Sequence, residues 1–121
     1  MDNTRTVKAG IIGCGGIANG KHLPALKNLP DVSVVAFCDI IKERAEEAAK
    51  KFGAEGARVY TDYRELLADP EVETVHVCTP NRSHSFITVD ALDAGKHVIW
   101  PHFGINLKKY NYIDMIYFNF Q

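Results

Sequence analysis

The chain has 121 residues, a net charge of -1 at pH 7 and a pI near 6.5. This length suits one domain with a real hydrophobic core but is short for an enzyme that binds two substrates. The balanced charge offers no general attraction for nucleic acid or anionic membranes, and no apolar run approaches the length of a membrane span. The start of the chain lacks the apolar segment of a signal peptide, so we expect a cytoplasmic protein.

The region from residue 7 to Asp39 has a recognisable order of elements. An apolar run at 7–12 predicts a strand, and residues 13–18 then follow the pattern G-x-G-x-x-A. A helical segment can follow, with Pro24 starting or ending one helical piece. A second apolar run at 32–37 stops just before Asp39. Strand, glycine turn, helix and a second strand that closes on an acid form the pattern of a dinucleotide-binding unit.

Each position in this pattern has a physical reason. Gly13 can make the tight turn out of the strand, and the missing side chain at Gly15 lets the backbone approach a pyrophosphate. Ala18 is small enough for close packing of helix and strand, and the amides at the helix start face the phosphates. Asp39 lies about 20 residues further on, where a carboxylate can accept both hydroxyls of an adenosine ribose. We therefore predict a dinucleotide site rather than an ordinary glycine loop.

Helices and strands continue to alternate downstream. The helix-forming run 41–52 ends at Gly53, for which we expect a left-handed cap. Asp62 and Glu65 have capping-box spacing at the start of another helix. Ser83 is the expected N-cap of a further helix, which runs to Ala94 before a glycine.

This alternation predicts an α/β fold with a Rossmann-type, doubly wound parallel sheet in three layers. Right-handed crossovers give the strand order 3-2-1-4-5 and place the ligand crevice at the carboxyl ends of strands 1 and 4. The five predicted strands span residues 7–12, 32–37, 58–60, 74–79 and 96–100.

The composition changes at Pro101. Residues 101–121 contain no alanine or valine, whereas the first 100 residues contain 12 alanines and 10 valines. Half of the aromatic residues fall in this segment, and its apolar residues fit neither the helical nor the strand period cleanly. We assign residues 1–100 to the dinucleotide-binding domain and 101–121 to a divergent aromatic-rich tail. The tail could add a sixth strand to the sheet or mediate self-association.

Several short motifs occur together in one order along the chain. They are residues 10–18 (GIIGCGGIA), 22–26 (HLPAL), 62–67 (DYRELL), 78–84 (CTPNRSH) and 94–98 (AGKHV). Jointly they resemble the N-terminal domain of the glucose-fructose oxidoreductase, inositol dehydrogenase and rhizopine-catabolism family, written Gfo/Idh/MocA. The resemblance covers roughly residues 6–99 and implies an NAD(P)-dependent oxidoreductase that acts on sugars, inositols or related polyols.

The resemblance also implies which residues bind the cofactor. These positions are Gly13, Gly15, Gly16, Ile17, Asp39, Thr79, Pro80, Asn81 and His84. The first four would hold the pyrophosphate, Asp39 the adenosine ribose and the last four the nicotinamide half. No arginine directly follows Asp39 to receive a 2'-phosphate, so we expect NAD in preference to NADP. Lys42 and Arg44 lie further along and could still reach such a group.

The chain departs from the family after the fifth strand. Family members continue into a Glu-Lys-Pro turn, whose lysine assists proton transfer, whereas Trp100, Pro101 and His102 occupy this region here. Lys108 and Lys109 come too late for that role. The family's C-terminal α+β substrate domain has no counterpart in this sequence, which is what a truncated or frame-shifted family member would show. We therefore expect cofactor binding without turnover and predict no catalytic residue. An interaction or regulatory module and a non-functional remnant remain alternatives.

The cysteines and histidines carry less specific signals. Cys14, Cys38 and Cys78 are expected to be reduced thiols along the crevice, because their number and spacing fit neither a disulfide framework nor a zinc site. The helix start beside Cys14 would lower the pKa of its thiol. His76 and His97 lie in predicted strands and are expected to be structural. No metal site is predicted.

Overall fold

The computed structural model of the chain describes residues 6–16, 18–79, 81–103 and 112–117. Strands and helices alternate along most of the chain, as the sequence predicts. In order, the elements are β1 (Val7–Ile12), a π-helical segment (Ala18–His22), α1 (Leu23–Lys27), β2 (Val32–Cys38), α2 (Lys42–Phe52), β3 (Arg58–Tyr60), α3 (Tyr63–Leu67), β4 (Thr74–Val77), α4 (Asn81–Asp93), β5 (His97–Phe103) and β6 (Tyr112–Tyr117). No helix in these ranges combines the length and apolarity needed to cross a bilayer.

The strands form one six-stranded sheet in the order β3-β2-β1-β4-β5-β6. The first five strands are parallel, which confirms the predicted Rossmann-type order 3-2-1-4-5. β6 runs antiparallel to β5, with Val98 opposite Tyr117 and Phe103 opposite Tyr112. The aromatic-rich segment therefore supplies a sixth strand. β5 itself continues three residues past the predicted end of the fifth strand at position 100.

Alternating side chains of the central strands divide the core between the two faces of the sheet. Ile11 packs with Phe37 and the helices on one side, while its neighbour Ile12 belongs to the cluster on the other side. Leu23 from α1 and Ala45 from α2 cover the first face. The second face is covered by α3 and α4, with side chains such as Leu66, Leu67, Ile87 and Ala91. Helices on both faces bury the parallel sheet in the expected three layers.

Two glycines differ in the reason for which they are needed. Gly95 follows α4 with φ +84°, the left-handed conformation that ends helices readily. Gly53 was expected to act in the same way, but this prediction is wrong because its backbone is extended, with φ -82° and ψ 157°. A Cβ at Gly53 would lie 2.6 Å from the carbonyl oxygen of Ala49 and 2.8 Å from the Phe37 ring. Close packing, rather than handedness, therefore requires this glycine.

The starts of α3 and α4 and the end of β4 differ in detail from the predictions. Asp62 caps α3, but its carboxylate accepts from the Arg64 amide at 3.0 Å rather than from the Glu65 amide that a capping box would use. α4 begins at Asn81, so Ser83 lies in its first turn and is not the N-cap. β4 ends at Val77, two residues earlier than predicted, because the chain leaves the sheet there to enter the turn before α4.

Candidate functional site

A cleft of about 870 Å³ opens at the carboxyl edge of the sheet, where β1 and β4 end side by side. The glycine turn forms one wall, and the residues after β2, β3 and β4 form the others. This is the edge at which doubly wound sheets bind ligands, because the chain departs in opposite directions from neighbouring strands. The sequence-predicted residues that line it are Gly13, Gly15, Gly16, Asp39 and Thr79.

Gly13 makes the turn from β1 into the cleft. Its φ is +96°, and a Cβ there would lie 2.8 Å from the carbonyl carbon of Cys78 and 2.9 Å from the amide nitrogen of Thr79. Its own N–H donates to the carbonyl of Cys38 at 2.8 Å. Only glycine fits a position that combines this conformation with direct contact between two backbones. Gly13 therefore holds the ends of β1, β2 and β4 together.

Gly15 and Gly16 have a different environment from Gly13. Among the described residues, a Cβ at Gly16 would meet no atom within 4 Å, and one at Gly15 would meet only the Arg44 guanidinium, at 4.0 Å. The backbone here borders open space on the cleft side, which leaves room for a bulky group to approach the amides. Ile17 lies outside the described residues. Arg44 also lines the cleft, so it places a positive charge close to the turn.

Asp39 is buried at the foot of the cleft, directly after β2. One carboxylate oxygen accepts from the Cys14 amide in the glycine turn at 2.8 Å, and the other accepts from the Ile41 amide at 2.8 Å. Each carboxylate oxygen can accept about two hydrogen bonds, so acceptor capacity is left for a ligand. The side chain is therefore fixed in place by backbone amides while it faces the cleft.

The β4 side of the cleft contains a buried polar atom that no described residue hydrogen-bonds. The hydroxyl oxygen of Thr79 is shielded from solvent and makes no hydrogen bond with any described residue. Such atoms are rare in folded proteins, and a bound ligand is one explanation for them. Pro80 lies outside the described residues. Asn81 and His84 fall in the first turns of α4, at the same end of the sheet, and their side chains lie outside the described part.

Several cleft residues were not singled out from the sequence. Tyr63, Phe86 and Ile87 form an apolar wall, with the Tyr63 and Phe86 ring centroids 6.3 Å apart. The Tyr63 hydroxyl donates to the carboxylate of Asp90 on α4, which ties the wall together. Phe86 is half exposed although it is large and apolar. The sequence could have indicated Tyr63 through its position, because the turn after β3 reaches the same sheet edge as the turns after β1 and β4.

The three cysteines lie at this end of the sheet, but only Cys38 and Cys78 line the cleft. Cys14 is fully buried, and its thiol lies 3.5 Å from the Cys38 carbonyl oxygen. Burial, followed by the nearby Asp39 carboxylate, raises the pKa of Cys14 to about 12. The expectation that a helix start would lower it is therefore wrong, because loss of water around the sulfur dominates.

His22 and His76 form a buried pair behind the glycine turn. Nε2 of His22 and Nδ1 of His76 are 2.6 Å apart, so one ring must donate a proton to the other. Burial, with a smaller effect of His22, lowers the pKa of His76 to about 3. This pair links the π-helical segment to β4 and does not line the cleft. No group of three or more potential ligand side chains within the described ranges is arranged to hold a metal.

The site fits a dinucleotide on three observations. The glycine turn leaves open space beside its backbone, a carboxylate faces the cleft one strand away, and a buried hydroxyl opposite has no hydrogen-bond partner within the described part of the chain. Together with the strand order, these features define a nucleotide-binding domain of the Rossmann type.

Comparison with known proteins gives the family. Residues 7–102 match the family model described as "Oxidoreductase family, NAD-binding Rossmann fold". The chain belongs to this Gfo/Idh/MocA family of oxidoreductases, and it contains the family's NAD(P)-binding domain. Inositol 2-dehydrogenase from Salmonella typhimurium is 44% identical over 94 residues, which cover 77% of this chain. D-xylose 1-dehydrogenase (NADP(+)) from Hypocrea jecorina is 41% identical over 106 residues, which cover 80% of this chain.

Solved structures agree with this result. Myo-inositol dehydrogenase from Lactobacillus casei, in complex with NAD(H) and myo-inositol, superimposes with a TM-score of 0.71 at 37% identity over 77% of this chain. A 3-ketoreductase from Actinomadura kijaniata, in complex with NADP and TDP-benzene, gives a TM-score of 0.73 at 33% identity over 79% of this chain. The matched region makes up only 27% of each curated relative named above and 27–29% of these structures.

Proposed function

We propose that the chain binds NAD in preference to NADP and forms the cofactor half of an oxidoreductase for sugars or cyclitols. The observation that carries the cofactor preference is the Asp39 carboxylate, which faces the cleft and accepts, among the residues that the structure describes, from two backbone amides. It accepts hydrogen bonds from the hydroxyls of the adenosine ribose. The same negative charge repels a 2'-phosphate, because two like charges repel each other more strongly at a partly buried site than they do in water.

The remaining contacts follow the shape of the cleft. The amides of Gly15 and Gly16 receive the pyrophosphate, with the Arg44 guanidinium beside them. The wall of Tyr63 and Phe86 offers an apolar surface for the adenine, and the Thr79 hydroxyl gains a partner on the nicotinamide side. When bound, the nicotinamide would exchange a hydride with a carbinol carbon of the substrate.

Titration with NADH and NADPH tests the cofactor preference. The wild-type chain should bind NADH about tenfold more tightly than NADPH, which corresponds to one unfavourable charge contact with Asp39. Arg44→Ala should weaken NADPH binding more than NADH binding, because a 2'-phosphate adds charge near the guanidinium. Tighter binding of NADPH than of NADH by the wild-type chain would refute the preference.

The substrate class and the lack of turnover are separate proposals. The named relatives include dehydrogenases of inositol and of D-xylose, which supports a polyol or sugar substrate. The position of the family's catalytic lysine has no lysine in this sequence, so the chain should hold the cofactor without oxidising substrate. Incubation of the chain with NAD and myo-inositol or D-xylose should produce no NADH above background. Robust NADH formation by the purified chain would overturn this proposal.

A second candidate function is self-association. β6 is the last strand of the sheet, and within the described residues no strand pairs with its other edge. Unpaired strand edges readily add a strand from another molecule. Sedimentation velocity over a wide concentration range should then show a dimer. A monomer at the highest concentration would argue against this function.

A further inference from the structure

The carbonyl groups of the glycine turn are held by one side chain. Asn19 lies one helical turn after Gly15, and its Nδ2 donates to the carbonyl oxygens of Cys14 at 2.8 Å and Gly15 at 3.1 Å. The Asn19 backbone N–H also donates to the Gly15 carbonyl, at 3.0 Å. Because both neighbours of the side-chain amide are acceptors, only its NH₂ group fits this orientation.

These bonds determine the direction of the next two amides. In a trans peptide the carbonyl oxygen and the following N–H point to opposite sides. Fixing the Cys14 carbonyl therefore fixes the Gly15 N–H, and fixing the Gly15 carbonyl fixes the Gly16 N–H. The preceding amide, that of Cys14, is already held by the Asp39 carboxylate at 2.8 Å. Three successive N–H groups of the turn thus have set directions.

Packing alone cannot hold these peptides. Glycine has little steric preference between peptide orientations, so adjacent glycines allow the plane between them to rotate. Apart from the Arg44 guanidinium at 4.0 Å, no atom in the described ranges lies close to a Cβ built at Gly15 or Gly16. A tethering hydrogen bond is therefore the available means of keeping the two amides aimed at one point.

We propose that Asn19 is a positioning residue that orients the Gly15 and Gly16 amides for the diphosphate of the cofactor. This role rests on the proposed dinucleotide function. Asn19 does not contact the ligand; it acts through the two carbonyl groups that it binds. Removing the side-chain amide takes away the bond to the Cys14 carbonyl and frees the Gly15 amide to rotate, so each binding event must order it again. The Gly15 carbonyl keeps the bond from the backbone N–H of residue 19, so the Gly16 amide loses only part of its support.

The test compares ligands with and without a diphosphate. Affinities of NADH, ADP-ribose and adenosine are measured for the wild-type chain, Asn19→Ala, Asn19→Asp and Asn28→Ala. Asn19→Ala should weaken NADH and ADP-ribose about fivefold to tenfold and leave adenosine unchanged, because adenosine makes no use of the turn. Asn19→Asp should weaken them further, because its carboxylate oxygens would face two carbonyl oxygens. Asn28→Ala, at the exposed end of α1, should behave as wild type.

The possible outcomes separate this role from the function on which it rests. If Asn19→Ala binds ADP-ribose as tightly as wild type, the positioning role is wrong while the dinucleotide function stands. An equal loss of adenosine affinity would also overturn it, since that would indicate general damage to the cleft. If the folded wild-type chain binds neither NADH nor ADP-ribose, the proposed function fails and this role fails with it. Circular dichroism checks that each variant is folded.

Discussion

The two ends of the sheet use buried charge in different ways. At the carboxyl end, Asp39 is held by the amides of Cys14 and Ile41 and faces the cleft. At the other end, Asp69 is buried to the same extent, with 8% of its surface exposed, but side chains surround it. Its carboxylate accepts from the Arg58 guanidinium at 2.7 Å and the Tyr60 hydroxyl at 2.9 Å. From the described residues Asp39 accepts two hydrogen bonds and faces the cleft, whereas Asp69 accepts three, including one from the Glu71 amide at 3.0 Å, and all three lie within the fold.

The surroundings of Asp69 form a network that we name the amino-end cluster, which comprises Lys8, Arg58, Asp69, Glu71 and Lys96. Arg58 also donates to Glu71 at 2.6 Å, and Lys8 donates to the other oxygen of Glu71 at 3.1 Å. The buried Lys96 ammonium donates to the carbonyls of Asp69 at 2.9 Å and Val72 at 2.7 Å. Burial acts to raise the pKa of Asp69, but the hydrogen bonds from the Arg58 guanidinium, the Glu71 backbone amide at 3.0 Å and the Tyr60 hydroxyl outweigh burial and lower the pKa. The cluster therefore stabilises the fold, and it lies away from the cleft.

Gly13→Ala should have the largest effect, because Gly13 serves both the fold and the cleft. The new Cβ would lie under 3 Å from the backbone of Cys78 and Thr79, at a φ of +96°. We expect the free energy of unfolding to fall by about 3 kcal/mol or more, with loss of NADH binding. Urea denaturation and an NADH titration measure the two effects. Wild-type stability in this variant would contradict the backbone contact.

Asp69→Ala should damage the fold and spare the cleft. Removing the carboxylate leaves Arg58 and Tyr60 without their shared partner, at a cost of about 2–3 kcal/mol because Arg58 is partly exposed. NADH affinity, measured where the variant is folded, should stay at the wild-type value. Asp93→Ala, at an exposed position on α4, is the control and should change stability by less than about 0.5 kcal/mol. A loss of NADH affinity in Asp69→Ala would contradict the claim that Asp69 serves the stability of the fold and not the cleft.

Gly15→Ala should lower NADH affinity and leave the stability of the fold almost unchanged, the opposite of Asp69→Ala. Of the atoms that the structure describes, its Cβ would have only the Arg44 guanidinium nearby, at 4.0 Å, so stability should change by less than about 1 kcal/mol. The methyl group would occupy the space beside the amides, and NADH affinity should fall about tenfold or more. Thermal unfolding and NADH titration of the same preparation give both values. Unchanged affinity would mean that no phosphate approaches this backbone.

His76 should add a smaller, pH-dependent effect on stability. Its pKa is near 6.5 in the unfolded chain and about 3 in the fold, so between these values the unfolded state binds one more proton. The free energy of unfolding should therefore fall as pH drops below 6.5, by at most about 1.4 kcal/mol per pH unit. Measurements between pH 7 and about 5 avoid most carboxylate titration.

A matched substitution isolates this effect. His76→Asn keeps a polar partner for His22 but cannot titrate, so the slope between pH 7 and about 5 should become shallower. Asn28→Ala, at the exposed end of α1, should retain the wild-type slope. If His76→Asn kept the full slope, His76 would not be the source of the acid sensitivity.

Patterns local in sequence predicted much of the fold and part of the site. Apolar runs that alternate with helical segments predicted the five parallel strands. The spacing of Gly13, Gly15 and Asp39 predicted that these three residues lie together at the cleft. Features that depend on distant residues were not predictable in this way. Gly53 is required by the Phe37 ring, and the pKa of Cys14 is raised because the folded chain excludes water from its sulfur.

The amino-end cluster shows the same limit. Arg58 and Lys8 meet at Glu71, which is 63 residues from Lys8 in the chain, and no local spacing signals that contact. Asn19 is an intermediate case, since its helical spacing from Gly15 was visible but the bonds to two carbonyls were not.

The most direct test of the central claim is a calorimetric titration of the wild-type chain and Asp39→Ala with NADH. The account predicts one site per wild-type chain and an affinity about thirtyfold lower in Asp39→Ala, because charge-assisted bonds to the ribose are lost. Circular dichroism should show that both proteins are folded. A folded wild-type chain that binds no NADH at millimolar concentration, or an Asp39→Ala variant that binds it equally well, would contradict the account.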